Sequence, residues 1–219
     1  MRVSALLALL APTVLQAPAA VPVGEEPFHK PALVNEWVEV LHVTIPPRTV
    51  TQWHTHSHDG VAIRLAGEVI SAETPAGEST GPLRPYPGET TAQAYAARPH
   101  THRVHNLGAT PFEVIDIEIL RRPPGPASDP IAEPVAENPS ARAYRWTLAP
   151  GASTPMHTHE RPYLIVAATS LQLTMKGPDG ASTEHPVKAG DFHWVDGRVT
   201  HALANAGRDP GILVEVELK

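Results

Sequence analysis

Two copies of a His-Thr-His triplet stand in this chain, His54-Thr55-His56 and His157-Thr158-His159. Each is followed downstream by a Thr-His pair, Thr101-His102 and Thr200-His201. In an extended strand, residues i and i+2 point the same way with Cα atoms about 6.5–7 Å apart. Two imidazoles so placed can converge on one ion, with metal–nitrogen bonds of about 2.0–2.1 Å. A third histidine from a neighbouring strand completes a facial set and leaves positions for water or substrate. The sequence supplies such a set twice: His54, His56 and His102, then His157, His159 and His201. Three neutral imidazoles suit Fe, Mn, Zn, Ni or Cu as divalent ions, and the spacing does not choose among them. His100 and His105 fit a ligand-orienting or surface role as well as a ligand role. His193, between Phe192 and Trp194, reads as a packing residue, while His29, His42 and His185 belong to neither set.

The elements that hold these histidines are themselves repeated. A shift of 103 residues lays Thr44-Ile45-Pro46-Pro47 on Thr147-Leu148-Ala149-Pro150 and one His-Thr-His on the other. A shift of 99 lays Thr101-His102 on Thr200-His201, Asn106 on Asn205, and the run Ile115 to Ile119 on Val214 to Leu218. The longer first half places its extra residues in the Pro/Gly-rich stretch Thr74 to Gly88. Within the repeated run, Ile115, Ile117 and Ile119 alternate with Asp116 and Glu118, and Val214, Val216 and Leu218 alternate with Glu215 and Glu217. Period two predicts strands with one face on a core and the acidic face towards water. The runs Trp37 to Ile45, Val61 to Leu65 and Tyr163 to Val166 are also rich in strand formers. No window carries a capped 3.6-residue stripe, so the chain reads as all-β, two barrels or sandwiches in tandem that pack on each other. Asn106 and Asn205 read as turn formers.

Composition narrows the chemistry. Among 219 residues there is no cysteine, which excludes disulfides, thiolate nucleophiles and thiolate metal sites. A net charge of −6 gives no footprint for nucleic acid. The 25 prolines oppose a helical bundle, and six of them lie in Arg121 to Ala143, an extended linker between the halves. The N-terminus has the layout of a secretory signal: Arg2, an apolar run around Leu6 to Ala11, then small residues at Ala17 to Ala20. The expected organisation is a signal over 1–20, a barrel over 27–120, a linker over 121–143 and a second barrel over 144–219. The mature chain is expected to be secreted or periplasmic, without a membrane span and without the cysteine of a lipoprotein.

These motifs resemble the cupin superfamily, whose first motif is a glycine, a His-x-His pair and a glutamate, and whose second holds a histidine and an asparagine. Gly151, His157 and His159 match the first motif, and Gly190-Asp191, Gly197, His201 and Asn205 match most of the second. In the first half His54, His56, His102 and Asn106 match, and Arg48 replaces the first glycine. The resemblance runs from about Pro31 to Lys219 and implies two jelly-roll-like barrels, double-stranded β-helices, with the histidines facing inward. The family's glutamate would fall at Gly60 or Val61 and at Tyr163 or Leu164, so neither half has it in register. Asp59 and Glu160 turn away from the histidine face by alternation, whereas His58, Arg161 and Tyr163 share it. The expected sites are therefore three-histidine sets, with His58 a candidate fourth ligand and Tyr163 a candidate catalytic hydroxyl.

Such a site supports three functions. The first is an Fe(II)-type oxygenase acting on a small organic molecule. The second is a non-redox Zn or Mn lyase, isomerase or hydrolase, which lacks an acidic residue in register to move protons. The third is a metal or small-ligand binding protein without turnover. A small molecule is the expected partner, and a homodimer the candidate assembly.

Overall fold

The computed structural model describes residues 19–219, so the expected signal over 1–20 lies outside it except for its last two residues. The first half holds ten strands: β1 (Val21–Pro22), β2 (His29–Val34), β3 (Val38–Ile45), β4 (His54–His56), β5 (Asp59–Ala66), β6 (Ile70–Glu73), β7 (Ser79–Leu83), β8 (Thr90–Ala94), β9 (His100–Asn106) and β10 (Phe112–Ile119). They form two facing sheets, β1-β4-β9-β6-β7 and β2-β3-β10-β5-β8. The second half repeats the plan with β11 (Ala136–Glu137), β12 (Ala141–Leu148), β13 (His157–His159), β14 (Tyr163–Ala167), β15 (Leu171–Lys176), β16 (Ser182–Val187), β17 (Phe192–Val195), β18 (Val199–Asn205) and β19 (Gly211–Leu218). Its sheets are β11-β12-β19-β14-β17 and β13-β18-β15-β16. One 3-10 turn, Val23–Glu25, is the sole helical element among the described residues, none of which forms a helix long enough to cross a membrane. The structure is an all-β pair of tandem cupin-type barrels.

Strand alternation acts here in a way the sequence reading did not anticipate. On β10, Phe112, Val114, Asp116 and Glu118 face into the first barrel, while Ile115, Ile117 and Ile119 face out of it. Those isoleucines do not meet water. They meet Val214, Val216 and Leu218 of β19, with Val61, Ile63, Leu164 and Val166, in a core that lies between the barrels. The acidic faces expected to be solvated are instead interior: Glu118, Glu215 and Glu217 are at most 1% exposed. Each barrel turns an apolar outer face to its neighbour, which frees its inner face for polar chemistry.

The stretch expected as linker contributes to this contact. It carries β11 and the first residues of β12, and the side-chain amide of Asn138 donates to the carbonyls of Gly60 and Gln93 at 2.9 and 3.0 Å. The Ser140 hydroxyl donates to Asp59 at 2.7 Å. The Thr74 to Gly88 insertion holds β7, an exposed edge strand. Asn106 and Asn205 play the same part in each half, accepting from Gly108 and Gly207 and donating to carbonyls that close the turn. Arg48, which replaces the glycine, adopts that residue's left-handed backbone: φ is 56° at Arg48 and 77° at Gly151.

Candidate metal centres

In the second barrel β13 pairs with β18 so that His157 lies opposite His201. The His157 Nδ1 donates to the Pro155 carbonyl at 2.9 Å, and the His159 Nδ1 to the Glu217 carboxylate at 2.7 Å. Both Nε2 atoms are thereby turned inward toward Glu215, to which they donate in the metal-free chain, and would be lone pairs toward an ion with the rings neutral. The Nε2 atoms of His157 and His201 come within 3.0 Å of each other, and Glu215 brings carboxylate oxygens to 3.2 Å from His157, 3.2 Å from His159 and 3.0 Å from His201. Ligands about 2.1 Å from a common ion stand about 3.0 Å apart at adjacent corners of an octahedron and about 3.4 Å apart in a tetrahedron. The observed edges fit a three-histidine, one-glutamate set closer to the octahedral spacing. The family's glutamate position holds Tyr163, as expected, and a carboxylate comes instead from Glu215 on β19, more than fifty residues beyond the His-x-His pair.

Charge follows from the same contacts. Burial opposes ionisation of Glu215, but three imidazole hydrogen bonds outweigh it and hold the carboxyl well below its usual range. Burial likewise opposes a charged His159, yet its bonds to Glu215 and Glu217 raise its pKa to about 9. Two aromatic rings close the site. Tyr163 stacks on His159 with ring centres 3.8 Å apart, and Trp146 stacks on His157 and donates to Glu215 at 2.6 Å. Tyr163, the candidate catalytic hydroxyl, is fully buried, and its Oη has no hydrogen-bond partner. It shares the histidine face, as expected, and its ring fills the space against His159.

The first barrel repeats the set with changes. His54 lies opposite His102 across β4 and β9. The His54 Nδ1 donates to the Gln52 carbonyl at 2.9 Å, and the His56 Nδ1 to Glu118 at 2.7 Å, the counterpart of the His159–Glu217 bond. The Nε2 atoms of His56 and His102 stand 3.2 Å apart, and the His54 Nε2 is buried without a partner. Burial and the neighbouring imidazoles keep His54 and His102 neutral, with pKa values of about 3 and about 2. A buried lone pair that no donor satisfies is what a divalent ion would relieve, so the residues fit a metal. His54, His56 and His102 would hold it in this barrel, and His157, His159, His201 and Glu215 in the other. His58 does not join the first set: its side chain is 44% exposed and faces Glu118 at 3.5 Å.

The ladder registers allow the two interiors to be compared position by position. Gly60 and Tyr163 occupy one position, opposite Glu118 and Glu217; Ala62 and Ile165 the next, opposite Asp116 and Glu215; Arg64 and Ala167 the third, opposite Val114 and Leu213. Val43 stands where Trp146 stands. The rings that cover the second centre are thus small residues in the first. A cavity of about 420 Å³ in the first barrel reaches His29, His56, His102 and Asp116. The second barrel also has a cavity, of about 710 Å³, but its inner wall is Ile165, Leu173 and Leu213, and none of the four ligands lines it.

Sequence reasoning missed the carboxylates and one histidine. The repeat had already laid Asp116 on Glu215 and Glu118 on Glu217, which was the available signal. His29 comes from β2, donates its Nδ1 to the buried Glu26 at 2.6 Å and lies 4.7 Å from the His54 ring. Nothing in spacing joined it to the site. His100 stacks on Tyr95 in the cavity wall, His105 pairs with Glu73 outside the set, and His185 and His193 line the second cavity.

Two barrels, each with inward histidines on the same paired strands that could hold a metal ion, define a double-barrel fold, and the chain belongs to the cupin family. Residues 144–217 match the cupin domain family Cupin_2. The chain is 32% identical over 83 residues to the beta-alanine degradation protein BauB of Pseudomonas aeruginosa, covering 38% of this chain and 86% of that protein. Among solved structures it is similar to AerE from Microcystis aeruginosa, with a TM-score of 0.60 and 15% identity over 89% of this chain and 98% of that one. It is also similar to the oxalate decarboxylase of Lactobacillus farciminis in its formate complex, with a TM-score of 0.57 and 12% identity over 94% and 87% of the two chains. At these identities the solved structures establish the fold.

Proposed function

We propose that this chain is an exported metalloenzyme that transforms a small organic molecule in its first barrel, of the Fe(II)-type oxygenase class, while the second barrel holds a closed structural metal centre. The observation that carries the reading is unequal access to two similar ligand sets. The first has three histidines and an open cavity of about 420 Å³. The second has four ligands covered by Tyr163 and Trp146. Structural sites close their coordination, and catalytic ones keep a position open. A redox-active divalent ion in the first set would supply electron transfer to oxygen and Lewis acidity. The protein's own residues bind, orient and exclude water: Glu118 fixes the His56 ring, Gln52 fixes His54, and the apolar wall of Val43, Ile45 and Phe112 dries the cavity.

Asp116 favours a second reading, a non-redox Zn or Mn enzyme, because it places in the cavity the proton-moving carboxylate that the sequence reading lacked. Metal analysis of the purified protein with oxygen uptake against diols, phenols and thiols separates the two. Iron with substrate-dependent oxygen uptake supports the first; zinc or manganese with no uptake replaces it with the second. Less than a tenth of an equivalent of metal after reconstitution removes both. Export is supported by the layout of residues 1–20, and finding the uncleaved chain in the cytoplasm would remove it.

A further inference from the structure

The first cavity contains a carboxylate and a guanidinium that the proposed chemistry does not yet use. Asp116 occupies the ladder position of Glu215, the fourth ligand of the other barrel. Its side chain is one methylene shorter, and its oxygen nearest to His56 stands 3.8 Å from Nδ1, the ring nitrogen already bonded to Glu118. The residue is 7% exposed, and among the described residues no hydrogen bond reaches its carboxylate. Buried carboxylates are otherwise hydrogen-bonded. Asp116 is therefore an acceptor with no side-chain donor among the described residues, lining a cavity beside His56 and His102.

Arg64 lines the same cavity one inward position further along β5, about 7 Å along the strand. In the other barrel that position is Ala167. Arg64 donates through Nη1 to Thr91 at 2.7 Å and to the Ala62 carbonyl at 3.4 Å, and its ion pair among the described residues is to Glu89 at 3.7 Å through Nε. Its Nη2 makes no hydrogen bond among those residues. Asp116 and Arg64 thus share one inner wall, yet no ion pair within 4 Å joins them. An anion and a cation held apart in a small cavity are complementary to a molecule that carries both kinds of group.

We propose that Asp116 and Arg64 form the ligand-recognition pair of the first barrel and select a small acid bearing a hydroxyl or ammonium group next to its carboxylate. Arg64 takes the carboxylate and Asp116 accepts the hydrogen of the protic group. The missing methylene at residue 116 is what leaves the three-histidine face open to that molecule. This rests on the reading of the first barrel as the reactive one.

The test uses the full-length protein loaded with Co(II), whose visible spectrum reports coordination, with azide, glycolate and glycine as probes. Wild type binds two cobalt ions, and azide perturbs one of them. H102A keeps one cobalt and loses the azide response, and H54A does the same if H102A folds poorly by circular dichroism. D116E keeps two cobalt ions and loses the response, because the longer carboxylate completes the set as Glu215 does. D116N, nearly isosteric, keeps the azide response but binds glycolate or glycine at least about tenfold more weakly, as expected for the loss of a charge-assisted hydrogen bond. Whichever acid is affected identifies the protic group as hydroxyl or ammonium. A D116E protein that still answers azide, or a D116N protein that binds both acids as wild type does, overturns the inference. A wild type that binds only one cobalt, unchanged in H102A, overturns the reading of the first barrel itself, and this inference with it.

Discussion

Tyr163 offers the sharpest test of the division between the barrels. Its ring is fully buried, 3.8 Å from that of His159, and its hydroxyl has no partner. Replacing it by phenylalanine keeps the ring and removes an unsatisfied buried hydroxyl, so Y163F should be neutral or more stable by about 1 kcal/mol. Y163A removes the ring and should cost about 3–5 kcal/mol, the usual range for an aromatic deleted from a packed core. In a chain of this size that corresponds to a fall in melting temperature of roughly 6–20 °C. The variant should also uncover the second centre, since alanine approaches what Gly60 provides in the first barrel. Calorimetry of the metal-loaded proteins reads the stabilities, and azide titration of the Co(II) form reads access: one responsive ion in wild type and Y163F, two in Y163A. If Y163F loses turnover or metal while Y163A leaves both centres as they were, Tyr163 is a reactive residue and the argument from packing fails.

Three further outcomes are expected. E217Q should weaken metal binding at the second centre about 10–100-fold, measured by chelator competition, because the carboxylate that orients His159 becomes a weaker acceptor. In the metal-free chain His159 is raised to about 9 from about 6.5. Its charged form therefore contributes stability in full below pH 6.5, on the order of 3 kcal/mol, which is lost as pH climbs through 9. Metal uptake by the second centre at pH 7.5 should release about one proton, seen by calorimetry of H102A in buffers of different ionisation enthalpy. R48G should raise stability by about 0.5–1 kcal/mol, since the left-handed backbone at Arg48 strains any residue with a β-carbon; an unchanged or lower melting temperature would count against that strain.

Much of the site was legible because it depends on local geometry. The His-x-His parity puts His54 with His56 and His157 with His159 on one face wherever the strand goes, and the repeat located His102 and His201. The carboxylates were less legible, though they too repeat. Alternation says that Asp116 and Glu118 share a face distinct from that of Ile115 and Ile117, but not which face meets water. A single barrel would have put the isoleucines inside. The second barrel covers them, and the acids turn inward.

From the sequence alone followed the all-β fold, its duplication, and two sets of three histidines that must meet any metal through imidazole, because no thiol exists in the chain. These follow from composition and from periods of two residues and about a hundred. The tertiary structure alone decided that Glu215 completes one set while Asp116 falls short in the other, and that Tyr163 and Trp146 cover one centre where Gly60 and Val43 take their positions in the other, which a cavity reaches. The reason is physical. Ligand sets and cavities are made by side chains from strands distant in sequence, and their distances are set by how two sheets and two barrels pack.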